Sequence, residues 1–122
     1  MKDLDIIDLI GIPYKENGRT KESGFDCYGL AIEVEKRLGK QLIDVQYENH
    51  DIELSSEYAP LLNVKKCNSI YQGVILEMHV KNELHIGVAI NNKQFIHATR
   101  NQGVRISLIS SYPIINKYEV VL

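Results

Sequence analysis

From Tyr71 onward the apolar residues recur at every second position, and this change of period constrains the chain more than any other feature. Five short runs alternate in this way, at 73–78, 84–90, 94–98, 104–108 and 117–121. Alternation of this kind half-buries a strand, and the short loops between runs leave no room for the crossovers of parallel pairing. The second half of the chain therefore predicts an antiparallel sheet. In Leu84-His85-Ile86-Gly87-Val88-Ala89-Ile90, the branched Ile86, Val88 and Ile90 share one face while His85, Gly87 and Ala89 share the other. That second face is small apart from its histidine, which leaves room for a packed neighbour such as a helix carrying a thiol.

The turn after this strand decides where a second histidine goes. A two-residue loop at Asn91-Asn92 would pair residue 90 with 93 and send His85 and His97 to opposite faces. A three-residue loop at Asn91-Asn92-Lys93 pairs 90 with 94 and 87 with 97, so that both imidazoles share a face. The second arrangement is expected, because it sets the histidines side by side with Gly87 leaving space between the strands.

Ahead of the sheet one stretch is clearly helical. Cys27, Leu30, Ala31, Val34 and Leu38 trace one face of an α-helix, with Glu33, Glu35, Lys36 and Arg37 on the wet side. Asp26 suits the N-cap, and Gly39-Lys40 suits the end. Cys27 thus falls in the first turn, where unpaired amides and the helix dipole favour thiolate over thiol. The same position lies on the buried stripe, so a plain core cysteine is the other reading. Gly29 costs about 1 kcal/mol against Ala inside a helix, so its presence implies a close approach there, for example by a substrate backbone.

The remaining stretches are less periodic. Residues 3–10 read as a short amphipathic helix stopped by Gly11 and Pro13, and 15–24 as a polar loop. Residues 41–46 suit a short strand or extended piece and 53–62 a helical turn or two. Tyr14 reads either as a half-buried anchor or as a hydroxyl aimed at the thiol or a bound carbonyl. His50 falls in a solvated acidic run, His79 at a strand end, and Cys67 has no helix start behind it.

With 122 residues the chain suits one domain over 1–122. A formal net charge of -2 gives no argument for nucleic acid or an anionic membrane as partner. The N-terminus turns acidic before any apolar run, and no stretch approaches the ~20 apolar residues of a membrane span, so neither a signal peptide nor a membrane anchor is expected. Two cysteines are too few for a disulfide framework, and their spacing to histidines proposes no structural zinc. Both thiols are expected to be reduced.

A cysteine at a helix start and a histidine on a packed strand are the minimum for nucleophilic acyl transfer. The imidazole takes the thiol proton and returns it to the leaving amine, and His97 on the next strand can hold that imidazole by its far nitrogen.

The runs Gly11-Ile12-Pro13-Tyr14, Asn17-Gly18 and Gly24-Phe25-Asp26-Cys27-Tyr28-Gly29-Leu30 resemble the signature of the NlpC/P60 cysteine peptidases, PYxxGG followed by an FDCSG-like segment. His85-Ile86-Gly87-Val88, Phe95-Ile96-His97-Ala98 and Gly103-Val104-Arg105-Ile106 are similar in order and spacing to the family's HVGIY, FIHA and GVxI blocks. The resemblance covers residues 4 to 121 and implies an α+β, papain-like fold with N-terminal helices packed on a central antiparallel sheet. It implies hydrolysis of bacterial cell-wall stem peptides at a γ-D-glutamyl bond to diaminopimelate or lysine, with no metal or cofactor. Cys27 would be the nucleophile, His85 the base and His97 its orienter. Tyr14, Asp26, Tyr28 and Gly29 would bind substrate, Tyr14 beside the thiol.

Tyr28 stands where Ser is common, Asn17 replaces the first glycine of the GG pair, and Gln72-Gly73 stands in for Gly-Asp. The aromatic after the cysteine resembles the bacteriophage tail-associated branch. That branch implies other phage tail proteins as partners, and a chain made in the cytoplasm and carried in a particle to the cell wall. Two other readings use the same residues: a non-catalytic tail assembly module, and a thiol amidase or acyltransferase acting on a different substrate.

Overall fold

The computed structural model describes residues 5–44 and 63–121. Its first element is a single 3-10 turn, Ile7–Leu9, where an α-helix over 3–10 was expected. Ile6 at the N-cap offers no side-chain acceptor, and Ile10 is already extended. Ile6 and Leu9 are buried three residues apart, the 3-10 repeat, while Ile7 and Ile10 stay exposed. The chain then joins the sheet edge: Gly11 N donates to Val104 O at 2.8 Å and Val104 N to Ile12 O at 2.9 Å. These two bonds fix the Pro13-Tyr14 segment.

The expected loop at 15–24 contains a small hairpin, β1 (Arg19–Thr20) and β2 (Gly24–Phe25). Asn17 begins it at φ 59, a left-handed conformation that Asn tolerates better than most residues, which is how it stands in for glycine. The hairpin leads into α1 (Cys27–Arg37), the one α-helix among the described residues. Asp26 caps it as expected, accepting from Gly29 N at 2.6 Å. The same carboxylate accepts from Asn17 N at 3.1 Å and pairs with Arg19 at 2.9 Å, and Arg19 also reaches Asp44 at 2.9 Å. Asp26 therefore joins the helix start to the hairpin that covers it. Asp26→Ala should cost about 3 kcal/mol in urea unfolding, since it removes the helix cap, the acceptor of the Asn17 amide and one of the two carboxylates that Arg19 pairs with. A loss under about 1 kcal/mol would show that solvent replaces these bonds.

At the far end Gly39 takes φ 83 and closes the helix. Glu35 departs from the expected wet side: it is fully buried, and a side chain at Gly73 would come within 3.6 Å of its Oε1. The turn before the first central strand packs over that helix face. Gly29 does mark a close approach, by the hairpin rather than by a substrate: a Cβ there would sit 2.0 Å from Gly18 O.

The sheet comprises β3 (Val64–Lys66), β4 (Ile75–Val80), β5 (Glu83–Ala89), β6 (Gln94–Thr99), β7 (Gly103–Leu108) and β8 (Ile114–Val120). Its spatial order is β3-β8-β4-β5-β6-β7, with antiparallel neighbours throughout. With α1 packed on β5 and β6, the arrangement is α+β. The expected strands all form, with ends shifted by a few residues. β3 and a 3-10 turn at Ile109–Ser111 are additions, each only three residues long. Residues 41–44 form no strand. Residues 45 and 46, His50 and the expected helical turn at 53–62 lie outside the described residues.

The β5–β6 turn has the expected three-residue form. Val88 pairs with Ile96 and Ala89 with Phe95, and Ile90 N donates to Gln94 O at 3.0 Å. Asn91 Oδ1 closes the turn by accepting from Lys93 N and Gln94 N, both at 2.8 Å. The packing of the two faces differs from expectation. Leu84, Ile86 and Val88 form one core with Leu30, Ala31 and Val34 of α1, so the helix covers their face. The face with Ala89 and Phe95 is closed by Ile109 and Tyr112. Gly87 leaves no void there, because a Cβ would meet the Phe95 ring at 2.4 Å.

Candidate active site

The β5–β6 ladder ends at Val88–Ile96, although both strands continue beyond it. Where they part, the N-terminus of α1 reaches the sheet, and a cavity of about 230 Å³ opens, lined by Tyr14, Cys27, His85, His97 and Arg100 among others. Parting the strands is what brings a thiol on one side of the sheet and histidines on the other into one space.

Cys27 is 4% exposed. Burial pushes its thiol up to about 12, while the backbone amides of Ile86, Tyr28 and Cys27 itself act in the opposite direction. The helix start thus has the expected sign of effect on the sulfur, but burial outweighs it. Cys27 rests as a neutral thiol, and the expectation of a thiolate poised by the helix alone is corrected.

His85 and His97 stand side by side, as the register requires. His85 Nε2 lies 2.7 Å from His97 Nδ1 with the rings edge to face, and His97 Nε2 lies 2.8 Å from Ser107 Oγ on β7. His97 is fully buried, with the Phe95 ring 4.4 Å and the Tyr112 ring 5.4 Å away, centroid to centroid. Burial, then neighbouring His85 and Arg105, hold it down to about 3, so it is a neutral imidazole with one donor and one acceptor. His85 lines the cavity with its Nε2 engaged by His97.

Tyr14 is half-buried, held beside Phe25 by a parallel bridge. Burial and the nearby Cys27 raise its pKa, keeping the hydroxyl a proton donor. Arg100 stacks over the Tyr14 ring at 5.0 Å and pairs with Glu83 at 3.1 Å. Nothing in the sequence pattern singles out Arg100, just after β6, or Ser107 on β7, because each joins the site only through tertiary contacts, Arg100 with Tyr14 and Ser107 with His97.

Of the seven residues expected in the site, Tyr14, Cys27, His85 and His97 come together on the cavity wall. Asp26, Tyr28 and Gly29 do not line it. Tyr28 is 1% exposed, donates its hydroxyl to Ile43 O and lies under the Arg19 guanidinium. Asp26 and Gly29 hold the helix start to the hairpin. His79 is exposed at a strand end, and Cys67 packs at the edge of the second core. Among the described residues no cluster of His, Cys, Asp or Glu could hold a metal ion, and no helix is long and apolar enough to cross a membrane.

The sequence matches the NlpC/P60 family over residues 11–121. No curated protein sequence matches it. Three solved structures are similar. A Staphylococcus aureus protein described as similar to a lipoprotein of the NLP/P60 family is 19% identical, with TM-score 0.63, over 95% of this chain and 39% of its own. The NlpC/p60 domain of the peptidoglycan hydrolase SagA is 20% identical, with TM-score 0.56, over 92% of this chain and 90% of its own. An NlpC protein of Trichomonas vaginalis is 22% identical, with TM-score 0.59, over 92% and 42%. This chain thus spans about two fifths of the staphylococcal and Trichomonas chains.

Proposed function

The chain belongs to the NlpC/P60 family, and we propose that it is a cysteine peptidase that hydrolyses peptidoglycan stem peptides. The observation that carries this reading is the shared cavity: Cys27 and His85 line one wall system, with His97 bonded to the far side of His85. The similarity to the SagA domain, from a protein described as a peptidoglycan hydrolase, supports the substrate class.

The chemistry follows from the resting state. His85 Nδ1 takes the Sγ proton as the sulfur attacks the substrate carbonyl carbon, so the buried thiol ionises only as the bond forms. The resulting imidazolium donates from Nε2 into His97 Nδ1, which spreads its charge. The oxyanion faces the Cys27 amide at the helix start and the Tyr14 hydroxyl, both donors. His85 then protonates the leaving amine, and water, deprotonated by the same imidazole, releases the acid from the thioester.

The test is mass spectrometry of disaccharide stem peptides incubated with the protein, beside Cys27→Ala. The expected product is a cut between the second and third stem residues, at the γ-D-glutamyl bond to diaminopimelate or lysine, absent in the variant. No product from any stem peptide would favour a non-catalytic tail module. Turnover of another acyl substrate, abolished by Cys27→Ala, would favour an amidase or acyltransferase. Association with a phage or prophage tail, and delivery to the wall in a particle, are proposed on the aromatic Tyr28. Their test is whether the chain copurifies with particles.

A further inference from the structure

We propose that Ser107 is a positioning residue of this site: its Oγ accepts the His97 Nε2 proton and thereby keeps His85 Nδ1 bare to act as the base. The inference rests on the reading of Cys27 and His85 as the reacting pair, but its test does not need a substrate.

The argument is one of proton counting along a chain of three groups. His97 is buried between Phe95 and Tyr112 and uses both ring nitrogens, Nδ1 toward His85 at 2.7 Å and Nε2 toward Ser107 at 2.8 Å. A neutral imidazole carries one proton, so only two arrangements satisfy both contacts. In the first, His97 donates from Nε2 to Ser107 and accepts at Nδ1 from His85 Nε2, which leaves His85 Nδ1 without a proton. In the second, Ser107 donates to His97 Nε2, and His97 donates from Nδ1 to His85 Nε2. His85 then carries its own proton on Nδ1 and has no lone pair for the thiol. Only the first can act as a base.

Without an oxygen at residue 107, the first arrangement would leave an N–H buried against aromatic carbon with no acceptor, whereas the second would leave only an unfilled lone pair, so the balance would tip toward the second. Ser107 faces Phe95 across the β6–β7 ladder, which fixes its place beside the His97 ring. When His85 becomes an imidazolium, the same direction of donation, from His85 through His97 to Ser107, aligns both hydrogen-bond dipoles to stabilise the charge.

The experiment is the ring 15N spectrum of histidine-labelled protein without substrate, for the full chain and for Ser107→Ala and Ser107→Thr, with stem-peptide kinetics in parallel. In the parent protein His85 should carry its proton on Nε2. Ser107→Ala should shift it toward an Nδ1-protonated mixture and lower kcat about 10-fold to 100-fold with KM unchanged, and Ser107→Thr should restore both. An Nδ1 proton on His85 in the parent protein would overturn the proposal even if neither variant folds. So would ring spectra unchanged by Ser107→Ala, or a loss that Thr does not restore. If no variant cleaves any stem peptide but the ring spectra behave as described, the hydrolase reading fails while the positioning role stands.

Discussion

His85→Ala should reduce stem-peptide hydrolysis by about 10⁴-fold or more while the protein remains folded. The magnitude comes from the state of the nucleophile. With its thiol pushed up to about 12 by burial, Cys27 is thiolate in on the order of one molecule in 10⁵ at pH 7. The base supplies by proton transfer what equilibrium ionisation withholds. A signature separates this account from a merely structural role for His85: the residual rate of the variant should rise about tenfold per pH unit between pH 7 and 10, following free thiolate. The parent protein should show no such slope. His97, held down to about 3, stays neutral across this range and adds no limb of its own. A variant within tenfold of the parent, or one whose residual rate is flat with pH, would remove His85 from the role of base.

The pairing of thiol and imidazole was legible in the sequence, but that burial holds the thiol neutral was not, and the reason is physical. The position of Cys27 at a helix start was evident from the 3.6-residue period and from Asp26, because both signals are local. Helix starts favour anions, and three backbone amides do act on the sulfur in that direction. Desolvation has the opposite sign and depends on what covers the thiol, which is set by tertiary packing. Here burial leaves Cys27 only 4% exposed, so the local rule gave the right sign for one influence and missed the larger one.

The glycines teach the same lesson. Gly29 announced a close approach, which exists, while Gly87 was expected to leave space and is instead closely approached. What approaches is Gly18 O in one case and the Phe95 ring in the other, partners that no spacing identifies. By contrast the side-by-side histidines were expected once the three-residue loop was chosen over the two-residue one, because loop length fixes register and register fixes the face. Ser107 escaped notice for the complementary reason. It lies on a strand whose own pattern is complete without it, and it matters only because the His97 ring on the neighbouring strand reaches its hydroxyl. The missed strand β3 has three residues, too few for any period to show.

Glu35 carries the second large effect. Among the described residues neither of its carboxylate oxygens has a hydrogen-bond partner, and burial raises it from 4.5 to about 8, with Lys40 opposing only in part. The native state therefore holds a proton that the unfolded chain releases near 4.5, so native binds more protons than unfolded through this window and stability falls as pH rises. The loss begins near pH 4.5, grows by at most about 1.4 kcal/mol per pH unit, and levels off above about 8, where it amounts to roughly 5 kcal/mol. Glu35→Gln keeps the shape without a charge, and Glu35→Leu removes the polar atoms as well. Against the parent, both should be stabilised increasingly from pH 5 to 8 in urea unfolding, with Glu35→Leu gaining more because it buries no amide. The difference between parent and variant isolates Glu35 from Asp8, whose low pKa acts at more acidic pH. A difference that stays flat between pH 5 and 8 would mean that the carboxylate is solvated or paired in the native state. A fold that tolerates this charge beneath the turn at Gly73 keeps it at a stability cost that rises toward alkaline pH.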